Sequence, residues 1–309
     1  MIFSDFWVQA LVLALVFDII AGEPPGFIHP VVWMGKLIGF FVRCAPLRNR
    51  KIYGFFMVIS CVGISIMFTR SVELSGKGLI GLLITAYFLK SSFSIRMLIT
   101  SALGIKKDLE FGKIEKVRHD LRTFVGRNTS VLNESQSASA VIESVAESFV
   151  YGILSPLFYY LILGLPGALS YRMINTLDSM VGYKKEPFID LGYAAAKLDD
   201  LANFIPARVS PVFIFIASIF LGSPGDSLKT CSSDHNKTAS PNSGWPMAAV
   251  SGALNVRLEK MGFHILGAGF REPEAGDIKK AVHIVGFSSL LFIAGIILLQ
   301  GVLSISLMK

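Results

Sequence analysis

FVYGILSPLFYYLILGLPGAL, residues Phe149 to Leu169, has the length of a bilayer crossing, which takes about 20 apolar residues, yet it carries Pro156 and Pro166. How this run is read decides the topology. A second doubtful run, Pro211 to Gly222, has only twelve residues and is shorter than a span. If both crossed, the polar interval between them, YRMINTLDSMVGYKKEPFIDLGYAAAKLDDLANFIPAR (Tyr171 to Arg208), would face the opposite side from residues 96–148 and 223–282. If both enter and return, everything from Arg96 to Asp277 lies on one side. That side also holds Lys36, Arg43, Arg48, Arg50 and Lys51, and little beyond Arg70, Lys77 and Lys309 remains opposite. Lys and Arg accumulate on the cytoplasmic side of a membrane, so the second arrangement is expected.

Composition agrees with a membrane setting. The 309 residues are 52% hydrophobic and 17% charged, with 24 Phe and a mean hydropathy of +0.59, too apolar for an ordinary soluble domain. Four further runs read as true spans: Phe3–Ala21, Tyr53–Thr69, Gly78–Ile95 and His283–Ile305. The first lacks a basic leader and a small-residue cleavage site, so it reads as a retained span. Lys90, inside the third, must snorkel to the interface or face the protein interior, and of the two snorkelling is expected. The net charge of +7 comes without a basic block interleaved with aromatics, which speaks against nucleic acid and for cationic loops facing anionic lipid. Cys44, Cys61 and Cys231 show no CxxC spacing and suggest neither a disulfide framework nor zinc. The expected fold is therefore an all-α integral membrane protein, a single polytopic domain over residues 1–309. It has about four transmembrane helices, two embedded or re-entrant segments and cytoplasmic helical regions. Its polar, site-bearing regions are 96–148, 170–208 and 223–282.

Chemistry-bearing residues concentrate in those regions. On a helix, Arg172, Asn175 and Asp178 recur at i, i+3 and i+6, and Asp199 and Asn203 at i, i+4. Asp200 lies about 100° away and Arg208 just past Pro206, read as a helix break. Glu143 and Glu147, also at i, i+4, form a self-repelling pair that favours a divalent cation. Near the start, Asp18, Glu23, His29 and Lys36 surround Pro24, Pro25 and Pro30, whose restricted backbone forces an extended path. The loop SPNSGWP opens a helix over MAAVSGALNVRLEK and is a candidate anion seat, because free N–H groups gather at a helix start; His235, Lys237 and Asn242 add donors. Solvated ion pairs and simple caps are the alternative for each residue taken singly. No GxxxxGK[ST], GxGxxG, HExxH or GxSxG is present.

Six stretches, GEPP…HPVVWMGKLI, VGRNT, AVIESVAE, PLFYYLILGLPGALSYRMINTLDSMVGY, AKLDDLANFIPAR and SPNSGWPMAAVSGAL, stand in the order and spacing of the CobD/CbiB family of cobalamin biosynthesis, adenosylcobinamide-phosphate synthase. The chain resembles that family over about residues 15–285. Where the family usually reads ESVAENTVDG and VGRDT, this chain has Ser148, Phe149, Tyr151 and Asn128 in ESVAESFVYG and VGRNT.

The resemblance implies an integral membrane ligase. It would join adenosylcobyric acid to (R)-1-amino-2-propanol O-phosphate, or free aminopropanol, with ATP consumed. The expected setting is the cell membrane, multi-pass, in contact with lipid, with the site facing the cytoplasm and other cobalamin-pathway enzymes as neighbours. Carboxylate activation calls for magnesium and phosphate clamps. Glu143, Glu147, Asp199 and Asp200 are then the metal candidates. Arg127, Arg172, Arg208, Lys237 and Asn242 are the ATP or phosphate candidates, with Asp178 and a proton-accepting His29 or His235 as catalytic ones. A non-enzymatic corrinoid permease or an AmpE-like sensor is the alternative, in which Asp18 and Lys90 would line a path.

Overall fold

A computed structural model describes residues 5–74, 76, 78–125 and 128–307. In chain order the elements are α1 (Asp5–Ala21), α2 (Pro30–Arg43), α3 (Arg50–Leu74), α4 (Leu79–Lys90), α5 (Ile95–Glu110), α6 (Ile114–Phe124), α7 (Glu134–Ser148), α8 (Ser155–Val181), α9 (Tyr193–Ala202), α10 (Phe204–Leu221), α11 (Pro224–Asp234), α12 (Gly244–Leu254), β1 (Leu258–Lys260), β2 (His264–Leu266) and α13 (Ala275–Leu307). A π-helical turn, Phe149–Leu154, joins α7 to α8. The fold is all-α apart from the antiparallel hairpin, in register Leu258 with Leu266 and Lys260 with His264. Among the described residues, five helical stretches are long and apolar enough to cross a membrane: Arg50–Leu74, Leu79–Glu110, Glu134–Val181, Phe204–Leu221 and Ala275–Val302.

Two compact units divide the chain. The first comprises residues up to Ser94, Ser155–Asn203 and the chain from Ala294 on; the second comprises Ile95–Leu154 and Phe204–Ile293. In the first, α1 packs on α4, and α8 on α2, α3, α4 and α9. Local signals shape these helices. Pro30 occupies the first turn of α2, where no amide is missed, and the His29 side chain caps it by accepting from the Val31 N–H.

The chain of the doubtful run 149–169 turns back on itself at Gly164, although the helical stretch Glu134–Val181 that contains it is also long and apolar enough to cross a membrane. Gly164 adopts φ 68°, ψ −154°, a conformation essentially reserved for glycine, and Pro166 follows it. Tyr159 and Tyr171 then stack at 5.5 Å with an interplanar angle of 12°. Twelve residues apart on a straight helix, they would lie about 18 Å from each other. One amide clasps both legs: Asn203 Oδ1 accepts from Ser155 Oγ at 2.7 Å and from Tyr171 OH at 2.8 Å. At the apex, Tyr160 OH donates to Trp7 O at 2.8 Å, and a Cβ on Gly164 would run into the Trp7 ring.

The second doubtful run differs from the expectation. α10 begins at Phe204 and runs 18 residues, about 27 Å, so its length permits a crossing. Pro206 does not break it, because the first-turn N–H groups of a helix have no intrahelical acceptor to lose. Lys90 also departs from the expectation. It does not snorkel; it is 2% exposed.

In the second unit, α10, α11 and α12 pack mutually, and α7 lies against α5, α6, α12 and β1. Asn133 and Gln136 form a reciprocal capping box at the start of α7. Asn255, at φ 52°, ends α12 in the left-handed conformation.

Replacing Gly164 by Ala forces a side chain into both a positive φ and the Trp7 ring, a loss of roughly 2 kcal/mol or more. Gly63→Ala meets open space in the middle of α3 and should be neutral to stabilising by up to about 1 kcal/mol. Thermal unfolding of the two purified variants in detergent checks the contrast; equal melting temperatures would refute the role given to Gly164.

Candidate functional site

The first unit holds a continuous polar cluster. Lys90 Nζ lies 3.0 Å from Asp18 Oδ1 and 2.8 Å from Glu23 Oε1 and donates to the Phe93 carbonyl. Glu23 Oε1 also accepts from Ser94 Oγ at 2.7 Å, and its Oε2 meets His29 Nε2 at 3.0 Å. Burial pushes the Glu23 carboxyl up, but the bonds from His29, Lys90 and Ser94 prevail and bring it down to about 2. Of the four polar groups expected at this boundary, Asp18, Glu23 and His29 therefore converge on Lys90, whereas Lys36 is exposed on α2.

Arg172, on α8, lies within electrostatic reach of Glu23, and its Nη1 points to Asn175 Oδ1 at 3.5 Å. Asn175 Nδ2 donates to Asp199 Oδ1 at 3.3 Å, and Asn203 Nδ2 to the Asp199 carbonyl at 2.9 Å. The two helical faces expected from spacing, 172/175/178 and 199/203, thus meet. Burial, and then the Asp178 carboxylate, push Asp199 up to about 7 against the opposing Asn175 bond. Asp200 is raised by burial and lowered in part by Lys197 and Lys184.

The second unit holds a polar pocket of about 250 Å³. Glu143, Ser144 and Glu147 of α7 form one wall, Phe124 and Val125 another, Thr238, Ser240 and Ser243 a third, and Lys260 and His264 of the hairpin the fourth. Glu143 and Glu147 behave differently despite their shared face. Glu143 is buried and accepts from Ser139 Oγ at 2.9 Å, with His264 Nε2 at 3.3 Å; Glu147 is exposed. His264 is a site residue that sequence spacing does not flag. Only the return of β2 beside β1, itself bonded to α7 through Glu259 N–H to Ser139 Oγ at 2.8 Å, brings it there.

The loop 235–243 is less open to an anion than its composition suggests. Ser240 Oγ accepts from the Asn242 and Ser243 amides at 3.2 and 3.4 Å, the Trp245 amide donates to the Asn242 carbonyl, and Pro246 has no N–H. Tyr151 OH reaches Ser240 Oγ at 3.3 Å.

Lys237 pairs with Asp234 at 2.6 Å, and Asp234 also accepts from the Gly267 amide. Burial raises the Asp234 carboxyl, but Lys237, Gly267 and Ser233 outweigh it and hold the group below the usual range. Arg208 Nη1 donates to Asn242 Oδ1 at 3.3 Å and to the Phe204 carbonyl at 2.8 Å. His235 stacks on Trp245 with ring centroids 3.9 Å apart. Arg127 lies outside the described residues.

Of the metal candidates, Glu143 and Glu147 belong to the second unit and Asp199 and Asp200 to the first. Among the described residues no group of three or more His, Cys, Asp or Glu side chains is arranged to hold a metal ion.

Fold and sites together define an all-α membrane protein with polar, carboxylate-bearing centres built from helix faces and short loops. The chain belongs to the CobD/Cbib protein family, whose model matches residues 11–285. It is 42% identical to the cobalamin biosynthesis protein CobD of Dehalococcoides mccartyi (strain CBDB1), over 84% of this chain and 86% of that protein. The probable cobalamin biosynthesis protein CobD of Methanothrix thermoacetophila is 39% identical, over 93% of this chain and 94% of the relative. The CobD of Klebsiella pneumoniae is 35% identical, over 91% and 94%. No solved structure matches.

Two measurements test the electrostatics. Lys90→Met leaves the Asp18 and Glu23 carboxylates without their cation and should destabilise by about 3–5 kcal/mol, read as a lower melting temperature; an unchanged value would refute the pairing. Asp199 rises from 3.8 to about 7 on folding, so its ionisation weakens the fold progressively as pH climbs through that window. Asp199→Asn should therefore melt higher than the native chain at pH 8 and converge with it towards pH 4, whereas a pH-independent difference would contradict the shift.

Proposed function

We propose that the protein acts in cobalamin biosynthesis as an ATP-dependent amide ligase. It joins the propionate carboxylate of adenosylcobyric acid to the amine of (R)-1-amino-2-propanol O-phosphate, or of free aminopropanol. Family membership supports the pathway. The observation that carries the chemistry is the convergence of three motifs, the segment leading into VGRNT, AVIESVAE and SPNSGWP, on one polar pocket of the second unit.

A carboxylate does not react with an amine until its oxygen becomes a leaving group, most simply by taking a phosphoryl group from ATP. Such transfer is catalysed chiefly by positioning and by charge aimed at the phosphate oxygens. Lys260 and the hydroxyls of Thr238, Ser240 and Ser243 suit that task in the pocket, and Arg208, bonded to Asn242 of the same loop, is a planar donor. Magnesium fits as a companion of the nucleotide, since it favours water and phosphate oxygens over an all-protein cage. Glu147, exposed at the pocket, would hold it in the second unit and Asp199 with Asp200 in the first; bound there it would neutralise phosphate charge. Asp178, beside Asp199, completes the acidic face.

The concentration of Lys and Arg in the site-bearing regions supports a cytoplasmic orientation, where ATP and the corrinoid are available. A permease reading would use Asp18 and Lys90 to line a path; their mutual pairing at 3.0 Å favours a structural role instead.

The test is product formation by the detergent-solubilised chain given adenosylcobyric acid, magnesium ATP and aminopropanol with or without its phosphate, read by mass spectrometry. An ATP-dependent amide is expected, with Glu147→Gln and Arg208→Gln each lowering kcat/KM by about tenfold or more. No amide from the native chain would overturn the ligase, and full activity in both variants would remove the pocket and Arg208 from it.

A further inference from the structure

The ligase reading leaves open which group takes the proton from the attacking amine, and the five histidines differ sharply in what their rings already do. His29 Nδ1 accepts from the Val31 amide at 3.1 Å, so its hydrogen sits on Nε2, which meets Glu23. Both nitrogens are occupied by the fold. His264 Nε2 is held by Glu143. His119 lies exposed beside Asp120, with its side chain 76% accessible, and His283 is exposed on α13.

His235 stands apart. Its Nδ1 faces the Cys231 carbonyl at 2.9 Å, and a carbonyl can only accept, so Nδ1 carries the hydrogen and Nε2 the lone pair. Among the described residues no hydrogen bond engages Nε2. We propose that His235 Nε2 is the base of the amide-forming step, and that Trp245 is the positioning residue that holds it beside Arg208.

The ring is fixed from two directions. Trp245 stacks on it at 3.9 Å, and the Cys231 thiol contacts the Trp245 carbonyl at 3.6 Å, which ties the end of α11 to the start of α12. The same indole carries the Arg208 guanidinium at 5.3 Å, itself packed on Phe204 at 3.5 Å. His235 directly follows α11, and its neighbour Asp234 is paired with Lys237.

The step balances. The amine nitrogen bonds to the acyl carbon of the ATP-derived acyl phosphate, the bond from that carbon to the phosphate oxygen breaks, and phosphate departs with the electron pair. The amine proton passes to Nε2 and then to water. Arg208 is placed to receive the departing anion.

The inference rests on the ligase reading, and two nucleophiles separate the failures of each. Hydroxylamine is unprotonated at neutral pH and traps the activated carboxylate as a hydroxamate without needing a base. With the full chain, adenosylcobyric acid and magnesium ATP, His235→Gln should still give hydroxamate at about the native rate. Its amide formation with aminopropanol should fall about 100-fold or more. Added imidazole should partly restore the amide in His235→Ala. Trp245→Leu should lower kcat with KM for the amine within about twofold, and add nothing in the His235→Gln background. A native amide rate and pH profile in His235→Gln would overturn the base, as would loss of hydroxamate and amide together. A native chain that gives neither product overturns the ligase itself.

Discussion

An ammonium group buried at 2% exposure in so apolar a chain survives only if its charge is neutralised on the spot, and much of the first unit follows from that requirement. Desolvating an ion costs several kcal/mol, which good pairing geometry must return. Lys90 draws Asp18 from α1 and Glu23 from the loop after it. Glu23 in turn orders Ser94 and His29, and His29 caps α2. One cation therefore sets where α1 ends, how the proline-rich loop runs and where α2 starts. Glu23 also lies within electrostatic range of Arg172 on α8.

The second centre obeys the same rule with different groups. Glu143 is buried, and Ser139 and His264 answer its charge, whereas Glu147, four residues on, is left at the pocket. One helical face thus supplies both a buried and an exposed carboxylate. The π-helical turn that follows is a frequent mark of functional segments. Here it presents Tyr151 towards Ser240, at a position where the family usually carries an acidic residue.

What was legible in the sequence was whatever depends on neighbours along the chain. Hydropathy exposed the membrane class, and the spacing of Arg172, Asn175, Asp178, Asp199 and Asn203 anticipated two faces that do meet. Pro166 marks the kink in α8 that follows Gly164. The misreadings came from long-range or positional context. Pro206 reads as a break because nothing local in the sequence marks Phe204 as the start of α10. Lys90 looked like a snorkelling residue because Glu23, its partner, lies 67 positions away. His264 was invisible, since its carboxylate is 121 residues distant. The capping of α2 by His29 was equally hidden, since Ser, Thr, Asp and Asn are the usual cap signal.

The clasp made by Asn203 carries a consequence for biogenesis. A chain leaves the ribosome from its first residue, so α1 and the Trp7 carbonyl are in place before the hairpin of α8 is synthesised. The apex can dock on arrival through Tyr160 and Gly164. Its legs cannot yet be closed, because the acceptor shared by Ser155 and Tyr171 is translated only after α9. Until then the Asn203 amide oxygen that joins Ser155 to Tyr171 has not been made. Synthesis of α9 is thus the event that shuts the hairpin, and the order of translation becomes the order of assembly.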